Sequence, residues 1–144
     1  MNSKWHGEQC PVCFKGTLAD GVRDEKVTYQ GAVFQYKQSG AYCSNCGDGI
    51  VTSDIHDDEE WVRFRAAVDV TIAKEMEAIR NELHLSKSEV ANLVGGGKNG
   101  FTRYVNQETR PTTAVWNLMR AMHKHPELVD ELKEPIDVSS LVHS

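Results

Sequence analysis

The sequence lacks the long apolar runs that would place it in or across a membrane. No window approaches the roughly 18 consecutive apolar residues that a transmembrane helix needs. Residues 1–9 are polar and include no apolar run behind a basic stretch, which a signal peptide would have. We therefore expect a cytoplasmic protein with no membrane partner.

The chain also lacks a recognisable catalytic set. No Ser/His/Asp set, open metal site or pair of carboxylates can be placed from the spacing of its residues, so the sequence does not predict an enzyme. Four of the 144 residues are cysteines. Hydrophobic residues make up 40% of the chain, which is ordinary for a globular protein, and the length suits one domain or two small ones.

Charge is unevenly distributed along the chain. The net charge is −5, from 16 basic and 21 acidic residues. Residues 54–60 hold five acids and no base, whereas residues 61–125 hold ten bases and six acids. A basic central segment is compatible with binding to nucleic acid, because phosphate contacts need only one face of a protein. Net acidity alone therefore does not exclude that function.

The four cysteines form two Cys-x-x-Cys pairs, Cys10 with Cys13 and Cys43 with Cys46. Two thiolates spaced in this way on a tight turn can grip one side of a metal ion, and a second pair completes a tetrahedron. We therefore predict one structural Zn²⁺ per chain, in a closed site with no position for substrate. The alternatives are iron, two disulfides or a thiol switch, and disulfides are disfavoured without a secretion signal.

The first fifty residues favour a β-rich domain around these cysteines. Two β-prone runs are interrupted at Gln30-Gly31, which predicts a hairpin, although the apolar alternation slips at Val33-Phe34 and leaves the register open. A glycine-rich segment of this size buries too little core to stand without a metal. The nearby histidines, His6 and His56, are expected at the surface.

Helical periodicity begins after Asp54. Acidic residues at 57–60 favour the first turn of a helix. Two apolar stripes follow, which change phase at residues 69–71, and this change predicts a hinge or linker. The fold class expected is α+β: a small N-terminal zinc-binding domain (1–53), a helix and linker (54–70), an all-α helix-turn-helix domain (71–134) and a flexible tail (135–144).

A helix-turn-helix is indicated in the second half of the chain. Ser86 and Glu89 form a capping-box pattern that opens a helix over residues 86–94, and three glycines at 95–97 end it. A second short helix is expected at about residues 98–105, and Thr112 or Thr113 caps the next one. Phe101 falls at a core position. A phosphate-binding loop at the glycines is excluded, because the required outer spacing is absent and a helix, not a strand, precedes.

The second short helix carries side chains suited to reading DNA. Asn99 and Arg103 are four residues apart, and these types bond adenine and guanine bidentately in the major groove. We therefore predict that both contact bases. The residues predicted to contact the DNA backbone are Lys98, Thr102, Asn106 and Arg110. The alternative is a small helical packing domain whose polar residues are simply solvated.

These motifs resemble the MqsA-type antitoxins, which combine a YgiT-type zinc finger with an Xre-like, phage-repressor-like helix-turn-helix. The resemblance rests on both cysteine pairs, Gly16, the run Gly-Gly-Gly-x-Asn-x-Phe-x-Arg-Tyr ending at Tyr104, and Lys-His-Pro-Glu-Leu ending at Leu128. It extends from about residue 10 to residue 133. Where the related pattern continues with Glu, Lys and Gly, this chain has Val105, Asn106 and Gln107.

The resemblance implies an antitoxin that is also an autorepressor. Such proteins dimerise through the C-terminal domain and bind palindromic operators, often in their own promoter, with base contacts at the places of Asn99 and Arg103. Their zinc domain binds and neutralises a small toxin, an mRNA-cleaving endonuclease in the best-known pairing. The alternatives are a stand-alone regulator with no toxin and a protein-binding adaptor.

Overall fold

The computed structural model describes residues 2–139, and the chain divides into two compact units, Met1–Val68 and Asp69–Ser144. An N-terminal sheet precedes a set of helices, so the predicted α+β class is confirmed. The strands are β1 (Leu18–Tyr29), β2 (Ala32–Cys43) and β3 (Gly49–Val51). The helices are α1 (Glu59–Glu82), α2 (Lys87–Val94), α3 (Gly100–Val105), α4 (Thr113–Lys124) and α5 (Glu127–Lys133), with a 3₁₀ turn at Ile55–Asp57. No helix of residues 2–139 combines the length and apolarity needed to cross a membrane.

The three strands form one antiparallel sheet in the order β1-β2-β3. The hairpin predicted at Gln30-Gly31 is confirmed: φ is 51° at Gln30 and 86° at Gly31. Two successive positive φ angles are those of a type I′ turn, whose twist matches that of paired strands. This turn sets the register that the sequence left open, since it places Val27 opposite Phe34.

One face of the hairpin packs against the start of α1. The ring of Phe34 lies 5.3 Å from that of Trp61 and 5.1 Å from that of Phe64, measured between centroids. Tyr29 adds an edge-on contact with Trp61 at 6.0 Å. Because such rings bury a large apolar area and attract each other in tilted and edge-on arrangements, they anchor the hairpin to the helix within the first unit.

Helix α1 runs without interruption through residues 69–71, where the change of apolar phase predicted a hinge. The backbone stays helical there because the segment contains neither glycine nor proline, and the two compact units divide between Val68 and Asp69. The hinge or linker stays a prediction. The phase changes because the buried side chains belong to different units: Phe64 packs in the first, whereas Ile72, Met76 and Ile79 are buried in the second. The division of the chain into four segments stays a prediction.

The second unit has an apolar core built from all of its helices. Phe101 is completely buried, as its spacing predicted. The other core side chains of this unit are Ile72, Ala73, Met76, Ile79, Leu85, Val90, Ala91, Trp116, Met119, Met122 and Val129. The core fixes α2 and α3 next to each other, which is the arrangement of a helix-turn-helix.

The predicted caps are present at the helix ends. The backbone N–H of Glu89 donates to Ser86 Oγ, and the N–H of Ser86 donates to Glu89 Oε1, both at 3.0 Å, so the capping box is confirmed. Thr112 caps α4. Helix α3 begins at Gly100, two residues later than predicted, and Asn99 is its N-cap residue. The tail predicted at residues 135–144 is described only to Ser139, and residues 140–144 lie outside the described residues.

Candidate metal centre and helix-turn-helix surface

The two cysteine pairs meet at one end of the sheet. Cys43 is the last residue of β2, and its N–H donates to the carbonyl oxygen of Asp48. Cys10 lies in a turn whose backbone pairs with Gly16. The four sulfur atoms all lie within 4.8 Å of one another, and among the described residues they form the one group identified as able to hold a metal ion.

The sulfur distances fit a tetrahedral ion. Cys10 Sγ lies 3.7 Å from Cys46 Sγ, and Cys13 Sγ lies 3.6 Å from Cys43 Sγ. Zn–S bonds of about 2.3 Å in a tetrahedron require sulfurs about 3.8 Å apart, whereas a disulfide requires about 2.05 Å. All four cysteines are free. The cluster therefore has the dimensions of a four-thiolate metal site and not of two disulfides.

Backbone amides point toward the sulfurs, as they do around metal-bound thiolates. The N–H of Val12 donates to Cys10 Sγ at 3.4 Å, and the N–H of Asn45 donates to Cys43 Sγ at 3.2 Å. The side-chain amide of Asn45 donates to Cys13 Sγ at 3.6 Å. These donors stabilise negative charge on sulfur and hold each thiolate in a fixed direction.

The neighbours of the thiols shift their pKa values in opposite directions. Backbone N–H groups of Lys15 and Gly16 and the amide of Asn45 lower the pKa of Cys13 to about 6. The pKa of Cys46 rises to about 12, because desolvation and three neighbouring sulfurs outweigh the bond from the Asp48 N–H, which lowers it. Like charges this close cannot all form unaided, and a divalent ion among them removes that obstacle.

Gly16 forms part of the wall of the cluster. It is buried, and a Cβ atom built on it would lie 2.3 Å from Cys43 Sγ and 2.9 Å from the backbone nitrogen of Asn45. No side chain fits in that space while the sulfur stays in place. The sequence resemblance included this glycine, and the structure supplies the physical reason for it.

The N-terminal segment is folded against the cluster, which the sequence did not reveal. Trp5 packs on the small core that contains Cys10 and Leu18. The N–H of Asp20 donates to His6 Nδ1 at 3.0 Å, and the N–H of Ser3 donates to the Asp20 carboxylate at 2.6 Å. His6 is exposed, as expected, and holds this segment to β1.

The side chains predicted to read bases are both exposed, Asn99 as the N-cap residue of α3 and Arg103 in its last turn. The N–H of Arg103 donates to the carbonyl oxygen of Asn99 at 3.1 Å, so the two residues lie one helical turn apart. Among the predicted backbone contacts, Lys98, Asn106 and Arg110 are exposed and Thr102 is half-buried. Five of the six side chains are therefore exposed, all of them between residues 98 and 110 of the chain. Their roles on DNA stay predictions.

The loop after α3 folds back onto that helix. The N–H groups of Glu108 and Thr109 approach the carbonyl oxygen of Arg103 at 2.9 and 3.4 Å. Gln107 has φ of 60°, the left-handed region, at the position where the related pattern has glycine. Arg110 follows, and its Nε lies 3.0 Å from Asp69 Oδ2.

A four-thiolate metal module joined to a helix-turn-helix unit defines a class of small regulatory proteins. The family model described as the antitoxin component of bacterial toxin-antitoxin system, MqsA, matches residues 8–133. Antitoxin MqsA of Escherichia coli (strain K12) is 33% identical over 130 residues, which cover 87% of this chain and 99% of that protein.

The chain therefore belongs to the MqsA antitoxin family, and the resemblance seen in its motifs is confirmed. Because this family is regulatory and non-enzymatic, the expectation that the chain is not an enzyme is confirmed as well.

Proposed function

We propose that the chain is a DNA-binding repressor that acts as the antitoxin of a type II toxin-antitoxin system in the cytoplasm. It neutralises a small toxin through its zinc module and represses its own operon through its helix-turn-helix. The observation that carries the DNA-binding role is the exposure of Asn99 and Arg103 one turn apart on α3.

Helix α3 is the recognition helix of this proposal. Exposed residues of such a helix face base edges in the major groove, and here they include an amide and a guanidinium. Asn99 bonds N6 and N7 of adenine, and Arg103 bonds O6 and N7 of guanine. The backbone contacts come from Lys98, Thr102, Asn106 and Arg110. A homodimer formed through the C-terminal unit reads a palindrome whose half-sites are about 34 Å apart, or a multiple of that.

Zinc is the metal that the donor set favours. Four thiolates at tetrahedral spacing suit Zn²⁺, which takes closed sites of this kind in structural roles. When bound, it supplies four metal–sulfur bonds that fix both cysteine turns. The core at the cluster is small, with Cys10, Leu18, Ala41 and Cys43 buried in it, so the metal contributes folding free energy there. Metal analysis of purified protein is expected to give one zinc per chain.

The toxin-binding role is assigned to the N-terminal unit for two reasons. The family is defined by an antitoxin function, and the four cysteines leave the metal no open position for a substrate. A module fixed by a structural metal presents a preorganised surface to a protein partner. Purification of the tagged chain from its native host is expected to bring down one small protein in a stoichiometric complex. Absence of such a protein would favour a stand-alone regulator.

DNA binding is tested with the duplex that lies upstream of the chain's own reading frame. Arg103→Ala is expected to weaken binding to that duplex by about 1–3 kcal/mol. The matched control is Arg63→Ala, which removes the same charge from an exposed position on α1. Equal binding by the parent and Arg103→Ala would contradict base reading. Absence of any salt-dependent DNA affinity in the parent would contradict DNA binding altogether and favour an adaptor.

A further inference from the structure

An ion pair places Arg110 beside the proposed recognition helix. Arg110 lies in the loop between α3 and α4, and this loop returns to α3 through the N–H groups of Glu108 and Thr109 at the carbonyl oxygen of Arg103. The backbone of Arg110 therefore starts close to the C-terminal end of the helix that carries Arg103. Its guanidinium then reaches Asp69, on α1 in the same unit.

The two partners of this ion pair differ in exposure. The side chain of Asp69 is 18% exposed, whereas that of Arg110 is 64% exposed. The contact joins Arg110 Nε to Asp69 Oδ2 at 3.0 Å. The two terminal nitrogens of a guanidinium carry four of the five N–H donors of an arginine. The carboxylate thus lies on the protein side, and the guanidinium extends outward from it.

We propose that Asp69 is a positioning residue for DNA binding, which holds Arg110 ready to donate to a backbone phosphate next to α3. This inference rests on the proposed function, in which α3 enters the major groove. A planar guanidinium held through Nε can still offer its terminal donors to a phosphate as a pair. A free arginine side chain would have to lose its rotamer freedom on binding, whereas this one is already ordered.

The direction in which Asp69→Ala changes DNA affinity distinguishes a positioning role of Asp69 from a simple effect of its charge. Asp69→Ala removes a negative charge, so charge alone would strengthen binding to any DNA. Loss of positioning would weaken it, because Arg110 would no longer be held in place. Glu75→Ala, at an exposed position on the same helix, makes the same change of charge and serves as the matched control.

The experiment measures the affinity of the full chain for two duplexes, a mixed-sequence 30-mer of about three helical turns and the upstream DNA, over a series of salt concentrations. Asp69→Ala is expected to weaken binding to both by about three- to tenfold, because a phosphate contact is independent of sequence. Glu75→Ala is expected to bind as well as the parent or better. In an Arg110→Ala background, Asp69→Ala is expected to cause no further weakening.

Arg110→Lys provides a second readout, since lysine keeps the charge but has neither an Nε–H nor a planar fork. The Arg110→Lys variant is expected to show most of the loss of DNA affinity that Arg110→Ala shows. Equal or tighter binding by Asp69→Ala would overturn the inference, as would a loss that persists without Arg110. A lower melting temperature with unchanged DNA affinity would show that the pair only stabilises the fold. If the parent binds no DNA, the proposed function fails, and this inference fails with it.

Discussion

Replacement of Gly16 by alanine tests the geometry of the metal cluster. The added Cβ would lie 2.3 Å from Cys43 Sγ, whereas ordinary contacts at such a position are 3.4–4 Å. The sulfur or the turn must therefore shift by about 1 Å, and metal–ligand distances tolerate only about 0.2 Å. The added Cβ could not move away from the sulfur toward Asn45 either, because the backbone nitrogen of Asn45 would lie only 2.9 Å from it.

The expected loss of zinc affinity follows from the free energy that such a clash costs. Overpacking of a well-packed site costs about 1–3 kcal/mol, which corresponds to a loss of metal affinity of about 5- to 150-fold. The assay is competition for zinc between the folded protein and a chromophoric chelator of known affinity. Gly16→Ala is expected to release its metal at a correspondingly lower chelator concentration than the parent.

Gly47→Ala is the control that separates a clash from backbone strain. Gly47 has φ of 77°, so alanine there is strained, but its added Cβ would have no atom within 4 Å. This variant is expected to lose about 1–2 kcal/mol of stability and to keep its metal more tightly than Gly16→Ala does. Zinc affinity of Gly16→Ala equal to that of the parent would refute the claim that the buried glycine shapes the site.

The remaining predictions concern the metal, a strained turn and a capped helix. Removal of zinc by a chelator is expected to abolish the near-ultraviolet circular dichroism of the first unit, while the far-ultraviolet signal of the helices in the second unit largely remains. The two signals are expected to separate because each unit has its own core. Simultaneous loss of both signals would contradict this. Gln107→Gly is expected to raise the melting temperature, because a non-glycine residue in the left-handed region, here at φ 60°, costs about 1–2 kcal/mol. The greater conformational entropy of glycine in the unfolded chain offsets part of this gain. A lower melting temperature would be evidence against strain at this position. The pKa of Glu89 is lowered to about 2 by Lys133 and by the Ser86 N–H, so its contribution to stability is present above its unfolded pKa of about 4.3 and is lost as pH falls toward 2. Glu89→Gln is therefore expected to reduce the loss of stability between pH 4.3 and pH 2 in acid-unfolding curves, and an unchanged curve would contradict it.

Local patterns predicted the parts of the fold that local chemistry determines. The capping box at Ser86 and Glu89 involves residues three apart, and the hairpin turn at Gln30-Gly31 involves two adjacent ones, so both could be predicted from short segments. The pairing of the two cysteine turns spans more than thirty residues, but it was also predictable, because only a shared metal satisfies four thiolates in two such pairs. In each case one physical requirement decides the structure.

Contacts between distant segments could not be predicted in the same way. Nothing near Trp5 in the sequence indicates that it packs beside Cys10 and Leu18. The ion pair between Asp69 and Arg110 joins residues 41 positions apart, and surface arginines and aspartates have many possible partners. The change of apolar phase at residues 69–71 coincides with the boundary between the two compact units, and the helix is continuous through it. Periodicity reports which face is buried, not whether the backbone continues.

The acidic balance of the chain bears on how an α3-centred surface would discriminate among DNA sequences. Residues 95–110 hold three bases, Lys98, Arg103 and Arg110, and one acid, Glu108. Each phosphate neutralised steepens the salt dependence by about 0.9 in logarithmic slope, so few charges give a shallow slope and weak nonspecific binding. In a protein with net charge −5, the proposed base contacts by Asn99 and Arg103 would then supply a large share of the proposed operator affinity. Such a repressor would be selective because it has little electrostatic affinity for DNA of any sequence. The proposed positioning of Arg110 by Asp69 would then strengthen the phosphate contact made by one of the few basic side chains near α3.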